Sequence, residues 1–435
     1  VTPLRPRPGR VPSPSLPLTY LTAAASAFVL AALTLPWLGD ELAGHYYHPR
    51  LLALTHVVAL GWITLAILGA TYQLVPVAIE RPLWSERLAR WQLAGMVTGI
   101  LGMVGHFWVG RWAGLAWAAA LVAAGAVGHL VNVTASLRGI ARWTFTARCL
   151  GLALGGLALT LAFGLALAIA HGHGLVPGGV LAVLPAHFHL AVLGWIAPMI
   201  VGVAARVYPM FLLAPEPGRG AAVQLWGLGL GVPAVVAGLL LDRAVLVGVG
   251  ALAVAAALGT HAAWVVGFAR RRKRPALDWG LTFVLTGTAC LVPAIGVGLA
   301  FAAGLAAGPR LALAYAVLAL GGWVSLTIAG MMLKIVPFLV WYRVYASRAG
   351  REPVPTLAQL SWPGAERLAH ALLTGGTLAL ALALAAGARP AIAAAGVALA
   401  AGALAFAAAL GRTLGHLLPG AACPAVPAAV SADPR

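Results

Sequence analysis

The sequence predicts an all-α polytopic membrane protein: twelve transmembrane helices in three pseudo-threefold arcs of four. Three observations carry that expectation. Hydrophobic residues make up 62% of the 435 residues and charged residues only 9%, a composition outside the range of soluble domains. Apolar runs of about 20 residues, the length that crosses a bilayer as a helix, recur along nearly the whole chain. One Gly-Trp pattern appears three times, at an interval of four such runs. Lipid gives the backbone no hydrogen-bond partner, so spans of this length must be helices. The short alternating segments of a transmembrane barrel are absent from the sequence.

Taken in order, residues 1–17, rich in Pro, Ala and Ser like the other end, read as a flexible cytoplasmic N-terminus. Residues 18–412 read as one twelve-helix membrane domain and 413–435 as a flexible cytoplasmic C-terminus. The first span, 18–38, is of full length and reads as retained rather than as a cleaved signal. The others fall roughly at 51–76, 91–110, 113–135, 147–170, 184–212, 221–241, 244–268, 278–304, 311–340, 366–387 and 390–411.

The net charge of +18 is distributed unevenly. If "RPRPGR" is cytoplasmic, that side also carries "ERPLWSERLARW", "SLRGIARW", "ARRRKRP" and "YRVYASRAGRE", while the opposite loops hold only Arg50, Arg111, Arg243, Arg310 and Arg389 of the 28 basic residues. This is the positive-inside bias. Basic loops under a membrane serve topology and contact anionic lipid, so the lipid bilayer, not nucleic acid, is the partner the charge implies. Cys149, Cys290 and Cys423 are scattered, which supports neither a disulfide framework nor covalently attached haem.

Spans 2, 6 and 10 contain the repeat: "HVVALGWITLAILGATYQLVP" from His56, "HLAVLGWIAPMIVGVAARVYP" from His189 and "VLALGGWVSLTIAGMMLKIVP" from Val317. They align without a gap, with Gly61, Gly194 and Gly322 each followed by a Trp, then Gly69, Gly202 and Gly330, then Pro76, Pro209 and Pro337. Glycines on such helices let a neighbouring helix or a flat cofactor approach the backbone.

An imidazole inside a membrane needs a partner, and His56 and His189 share one register about a turn below the outer surface. Neutral imidazole ligates haem iron and also binds copper or zinc. A haem between two helices needs a His from each, apolar walls and small residues against the ring; His56, His189, Gly61, Gly69, Gly194 and Gly202 are the candidates. His187, two residues before His189, points to nearly the opposite face of a helix and is free for a second haem or a copper ion. His45, His48 and His106 are further copper candidates near the outer face, with His171 and His173 nearby, and Arg50, Arg111 and Arg243 are natural partners for haem propionates. His129, His261 and His370 lie deeper and read as packing or hydrogen-bonding residues.

"AHFHLAVLGW" with the later "YPMF", and "THVVALGWITLAILGATYQLVPV", resemble haem-bearing helices of subunit I of the haem–copper oxidases and nitric oxide reductases. The resemblance implies twelve helices in three arcs, haem b with His56 and His189 as the axial pair of a low-spin haem, and His187 as the proximal ligand of a second haem. It also implies residence in a bacterial plasma membrane, other respiratory subunits as partners, and a quinol, cytochrome c or cupredoxin-like redox partner. The implied activity is electron transfer, with binding or reduction of a diatomic gas, O2 or NO, near the outer face.

The departures are specific. The "HFH" pair stands on span 6 rather than the family's tenth, Val317 replaces a histidine on span 10, and span 7 lacks the adjacent histidines that bind copper in the family. All ten acidic residues fall in loops or at span ends, which leaves no buried carboxylate relay for proton pumping. A histidine-lined metal or solute transporter, and a non-catalytic scaffold subunit, are the competing classes; three parallel repeats with ligands near one surface fit a transporter poorly.

Overall fold

The computed structural model describes residues 12–78, 81–173 and 180–418, and its regular structure is helical apart from an isolated bridge between Ala349 and Glu352. Twelve long helices follow in order among these residues. They are α1 (Ser15–Thr34), α2 (49–78), α3 (Glu86–Trp108), α4 (Leu115–Leu137), α5 (Phe145–Gly172), α6 (180–212), α7 (Ala221–Leu240), α8 (Ala244–Arg270), α9 (Trp279–Ala302), α10 (Pro309–Val344), α11 (Pro363–Ala386) and α12 (Arg389–Gly415). Eleven are long and apolar enough to cross a membrane. The other is α3, which has 23 residues and opens with Glu86, Arg87, Arg90 and Gln92. The expected terminal boundaries at 17 and 413 fall inside α1 and α12, and residues 1–11 and 419–435 lie outside the described residues.

Local chemistry accounts for the helix starts. Ser85, Thr144 and Asp278 are N-caps whose side chains accept from the backbone N–H of Leu88, Ala147 and Leu281, satisfying donors a first turn otherwise leaves free. Proline at the first or second position opens α2, α10, α11 and α12, where its missing N–H loses nothing. Lys334 of α10 reaches the carboxylate of Asp278 and lies 5.0 Å from the Phe211 ring, and Arg206 pairs with Glu216 at 3.3 Å. Both basic groups thus turn to the end of the bundle.

The three repeat helices are the interior ones. Their most apolar stretches are 61%, 72% and 61% buried, against 28–44% in the other eight. Each has the same construction: α-geometry up to His56, His189 or Ala316, then π-helical turns over Val57–Thr64, Leu190–Ile196 or Val317–Ser325, then α-geometry again. Thr64 braces its segment by donating from Oγ1 to the Ala59 carbonyl five residues back, at 2.8 Å. Such turns are rare and concentrate at functional sites.

Within the π turns the repeat tryptophans are 0%, 2% and 1% exposed. Trp62 donates Nε1–H to Ser325 Oγ at 3.0 Å and Trp195 to Thr64 Oγ1 at 3.4 Å. Thr64, Ala197 and Ser325 hold one repeat position. Trp323, which by the same rotation faces Ala197, has a buried Nε1 without a partner. A ring from a fourth helix backs each indole: His129 of α4 on Trp195 at 6.1 Å, His261 of α8 on Trp323 at 6.3 Å, and Phe406 of α12 on Trp62 at 6.1 Å.

The repeat glycines Gly61, Gly69, Gly194 and Gly202, candidates for close approach by a helix or a flat cofactor, make close helix contacts. A Cβ on Gly61 would lie 2.9 Å from Ala27 Cβ and one on Gly69 2.7 Å from Tyr20 Cβ, both on α1. One on Gly202 would meet Cys149 Cβ of α5 at 2.6 Å, and Gly194 packs on Gly156 of α5, where an added Cβ would stand 2.0 Å from the Gly194 carbonyl oxygen. The third repeat does the same, Gly322 on Cys290 and Gly330 on Gly280 of α9. Backbone approach between helices, the use of small residues common in membranes, explains the pattern.

Candidate functional site

The N-terminal end of α2 has His48 at its N-cap position and Pro49 behind it. Two turns in, His56 Nδ1 lies 2.7 Å from the carbonyl oxygen of Leu52. A carbonyl only accepts, so Nδ1 carries the proton and Nε2 keeps its lone pair. His189 repeats the arrangement, with Nδ1 2.7 Å from the Pro185 carbonyl oxygen four residues back. Both rings are therefore oriented as a metal-ligating imidazole is, one nitrogen anchored and the other bare.

The two imidazoles point into different spaces. His56 packs on Phe107 of α3 at 4.8 Å between ring centroids. His187 of α6 is within electrostatic reach of His56, and its Cε1 lies 3.1 Å from where Gly164 of α5 would carry a Cβ. His56 thus faces α3 and His187 faces α5. His189 stacks on Tyr315 of α10 at 5.9 Å, with Nε2 3.5 Å from the phenol oxygen. The opposed direction of neighbouring imidazoles on α6 separates the surroundings of His187 from those of His189.

The repeat register unites these observations. Leu54, His187 and Tyr315 hold one position, and His56, His189 and Val317 the other. His56 with His187, and His189 with Tyr315, are one pairing repeated around the molecule; the third combination, Val317 with Leu54, is apolar. Tyr315 escaped the sequence reading because the alignment began two residues after it, and one more turn upstream sets it under His187.

Aromatic groups cover the first pair. Trp112, in the turn between α3 and α4, contacts Phe107 at 5.6 Å, His171 at 4.9 Å and Tyr47 at 6.5 Å. Burial pushes the Tyr47 phenol up, keeping it protonated. His171 Nδ1 lies 2.8 Å from the Leu167 carbonyl oxygen, so Tyr47 donates to His171 Nε2. Farther in, Tyr72 donates to Gln92 Oε1 at 2.5 Å and accepts from His129 Nδ1 at 3.1 Å. His370 meets Thr286 Oγ1 at 2.9 Å through Nε2.

The remaining candidates are placed apart. His45 Nδ1 accepts from the Tyr47 N–H at 3.1 Å, His106 Nδ1 meets the Arg111 carbonyl oxygen at 3.0 Å, and His48 Nδ1 is buried without a partner. Among the described residues no three of His, Cys, Asp and Glu gather as a metal-binding group. Arg50 pairs with Glu41 at 2.8 Å and lies 5.6 Å from the Trp108 ring, which occupies the guanidinium expected to meet a propionate.

Compared with protein-family models and with curated proteins, the chain matches none.

Proposed function

We propose that this is a haem-b membrane redox protein, a divergent relative of haem–copper oxidase subunit I, in which His56 and His187 hold one low-spin haem near the outer face. What supports the reading is that His187 lies within electrostatic reach of His56 and that each imidazole has a nitrogen with no protein partner among the described residues. Anchoring of Nδ1 by Leu52 leaves His56 Nε2 bare, and His187 Nδ1 is buried without a partner. Two neutral imidazoles from facing helices are a donor set that haem iron accepts. When bound, the haem supplies a one-electron iron couple.

The protein's own groups orient and shield. Leu52 fixes the His56 tautomer, Gly164 leaves room for His187, and Phe107, Trp112, His171 and Tyr47 exclude water from the outer side. With His56 and His187 both holding the haem, it would supply electron transfer to an outer redox partner rather than reduction of O2 or NO.

The reading includes twelve spans in three arcs of four about a pseudo-threefold axis, with both termini cytoplasmic. The glycine contacts of α1 with α2, α5 with α6 and α9 with α10 support it, as does the rotation of tryptophan hydrogen bonds. At about 1.5 Å per residue, the 23 residues of α3 are enough for a bilayer core about 30 Å thick. The test is a reduced-minus-oxidised spectrum of the purified protein with haem extraction. One haem b per chain and a Soret band that shifts on reduction are expected; a colourless, haem-free protein overturns the reading in favour of a transporter or scaffold.

A further inference from the structure

The second compartment, bounded by α6, α7, α8, α9 and α10, contains a cavity of about 160 Å³. Its walls are largely apolar. Val254, Leu291 and Phe301 are typical of the lining, Trp323 also borders it, and His189 and Tyr315 bring an imidazole and a phenol to it. A cavity of about 150 Å³ takes one benzene ring, so this one is the right size for a single six-membered ring.

The polar pair decides what that ring carries. His189 Nδ1 is held by the Pro185 carbonyl, so Nε2 is an acceptor. Tyr315 offers an O–H, and the two atoms are 3.5 Å apart, well beyond the 2.7–2.8 Å of a strong hydroxyl hydrogen bond. Each therefore has unused capacity. A ligand hydroxyl set beside them donates to His189 Nε2 and accepts from Tyr315, and an apolar ring beyond it meets the aliphatic walls.

We infer that this cavity binds one neutral phenol or hydroquinone ring, with its hydroxyl between His189 and Tyr315. The site is distinct from the haem compartment and does not require it. A quinone, which has carbonyl oxygens in place of hydroxyls, accepts from Tyr315 but leaves His189 Nε2 without a donor, so the reduced form binds better than the oxidised one. The source of the ring is either a free phenol or a quinol of the bilayer, which share this chemistry.

Full-length protein in lipid nanodiscs is titrated calorimetrically with p-cresol, toluene, duroquinol and duroquinone, against empty discs. Saturable binding of p-cresol and duroquinol is expected, with duroquinone weaker. Tyr315→Phe should weaken p-cresol about five- to tenfold, the worth of one hydrogen bond, and leave toluene unchanged. Ala294→Leu, which fills the cavity, should remove both. A quinol with a ten-carbon chain that outbinds duroquinol identifies the bilayer as the source, and one that does not identifies a free phenol; either supports the site. Absence of saturable p-cresol binding, an equal effect of Tyr315→Phe on p-cresol and toluene, or a second haem lost in His189→Ala overturns it. Because haem content is read separately on His56→Ala and His187→Ala, failure of this site and failure of the haem assignment are distinguishable.

Discussion

Trp62 donates its indole N–H to Ser325 across 263 residues of sequence, at 3.0 Å in the buried centre of the bundle. Trp195 finds Thr64 in the same way, and only Trp323 is left with a buried donor, because the corresponding position is Ala197. An unsatisfied buried donor destabilises by about 1–3 kcal/mol. We predict that Ala197→Ser stabilises the protein by about 1 kcal/mol, and that Ser325→Ala destabilises it by about 1–2 kcal/mol. Unfolding in detergent measures both, and a neutral or destabilising Ala197→Ser would remove the rotational equivalence.

The glycine contacts give a contrast within one residue type. A methyl group on Gly156 would stand 2.0 Å from the Gly194 carbonyl oxygen, a backbone atom that cannot turn aside, whereas nothing lies within 4 Å of one on Gly95. Gly156→Ala should prevent recovery of folded protein. Gly95→Ala, in a helix with open space around it, should stabilise by about 1 kcal/mol. Monodispersity after extraction, followed by thermal unfolding, separates the two.

His187 can be moved without being removed. A Cβ on Gly164 would approach its Cε1 to 3.1 Å, so Gly164→Val should tilt the imidazole. The expected result is a shifted or broadened low-spin signal in the reduced-minus-oxidised spectrum with haem content reduced two- to tenfold. Unchanged spectra and haem content would place His187 outside the ligand set.

Much of the fold was legible because its signals are redundant along the chain. Apolar length marks the spans. The repeat could be read because tryptophan and glycine recur at fixed offsets. Span 3 was placed at 91–110, and the helix begins earlier, at Glu86, because the charged turn 86–92 continues the helix capped by Ser85. The site was harder to read. Sequence shows that His187 and His189 look opposite ways; which of them looks toward α2 depends on how α6 is rotated in the bundle, and π turns after His189 change the relation between its two halves. No local propensity encodes that. The glycines were ambiguous for a related reason, since close approach by a helix and by a flat cofactor ask for the same residue.

The central claim is that α2 and α6 share a haem through His56 and His187, and ligand-directed spectroscopy tests it most directly. Reduced-minus-oxidised spectra and extracted haem are measured on the wild type and on His56→Ala, His187→Ala and His189→Ala. The account predicts that the first two variants each lose the same low-spin signal and its haem, while His189→Ala keeps both. Loss of that signal in His56→Ala and His189→Ala, with His187→Ala unaffected, would contradict it.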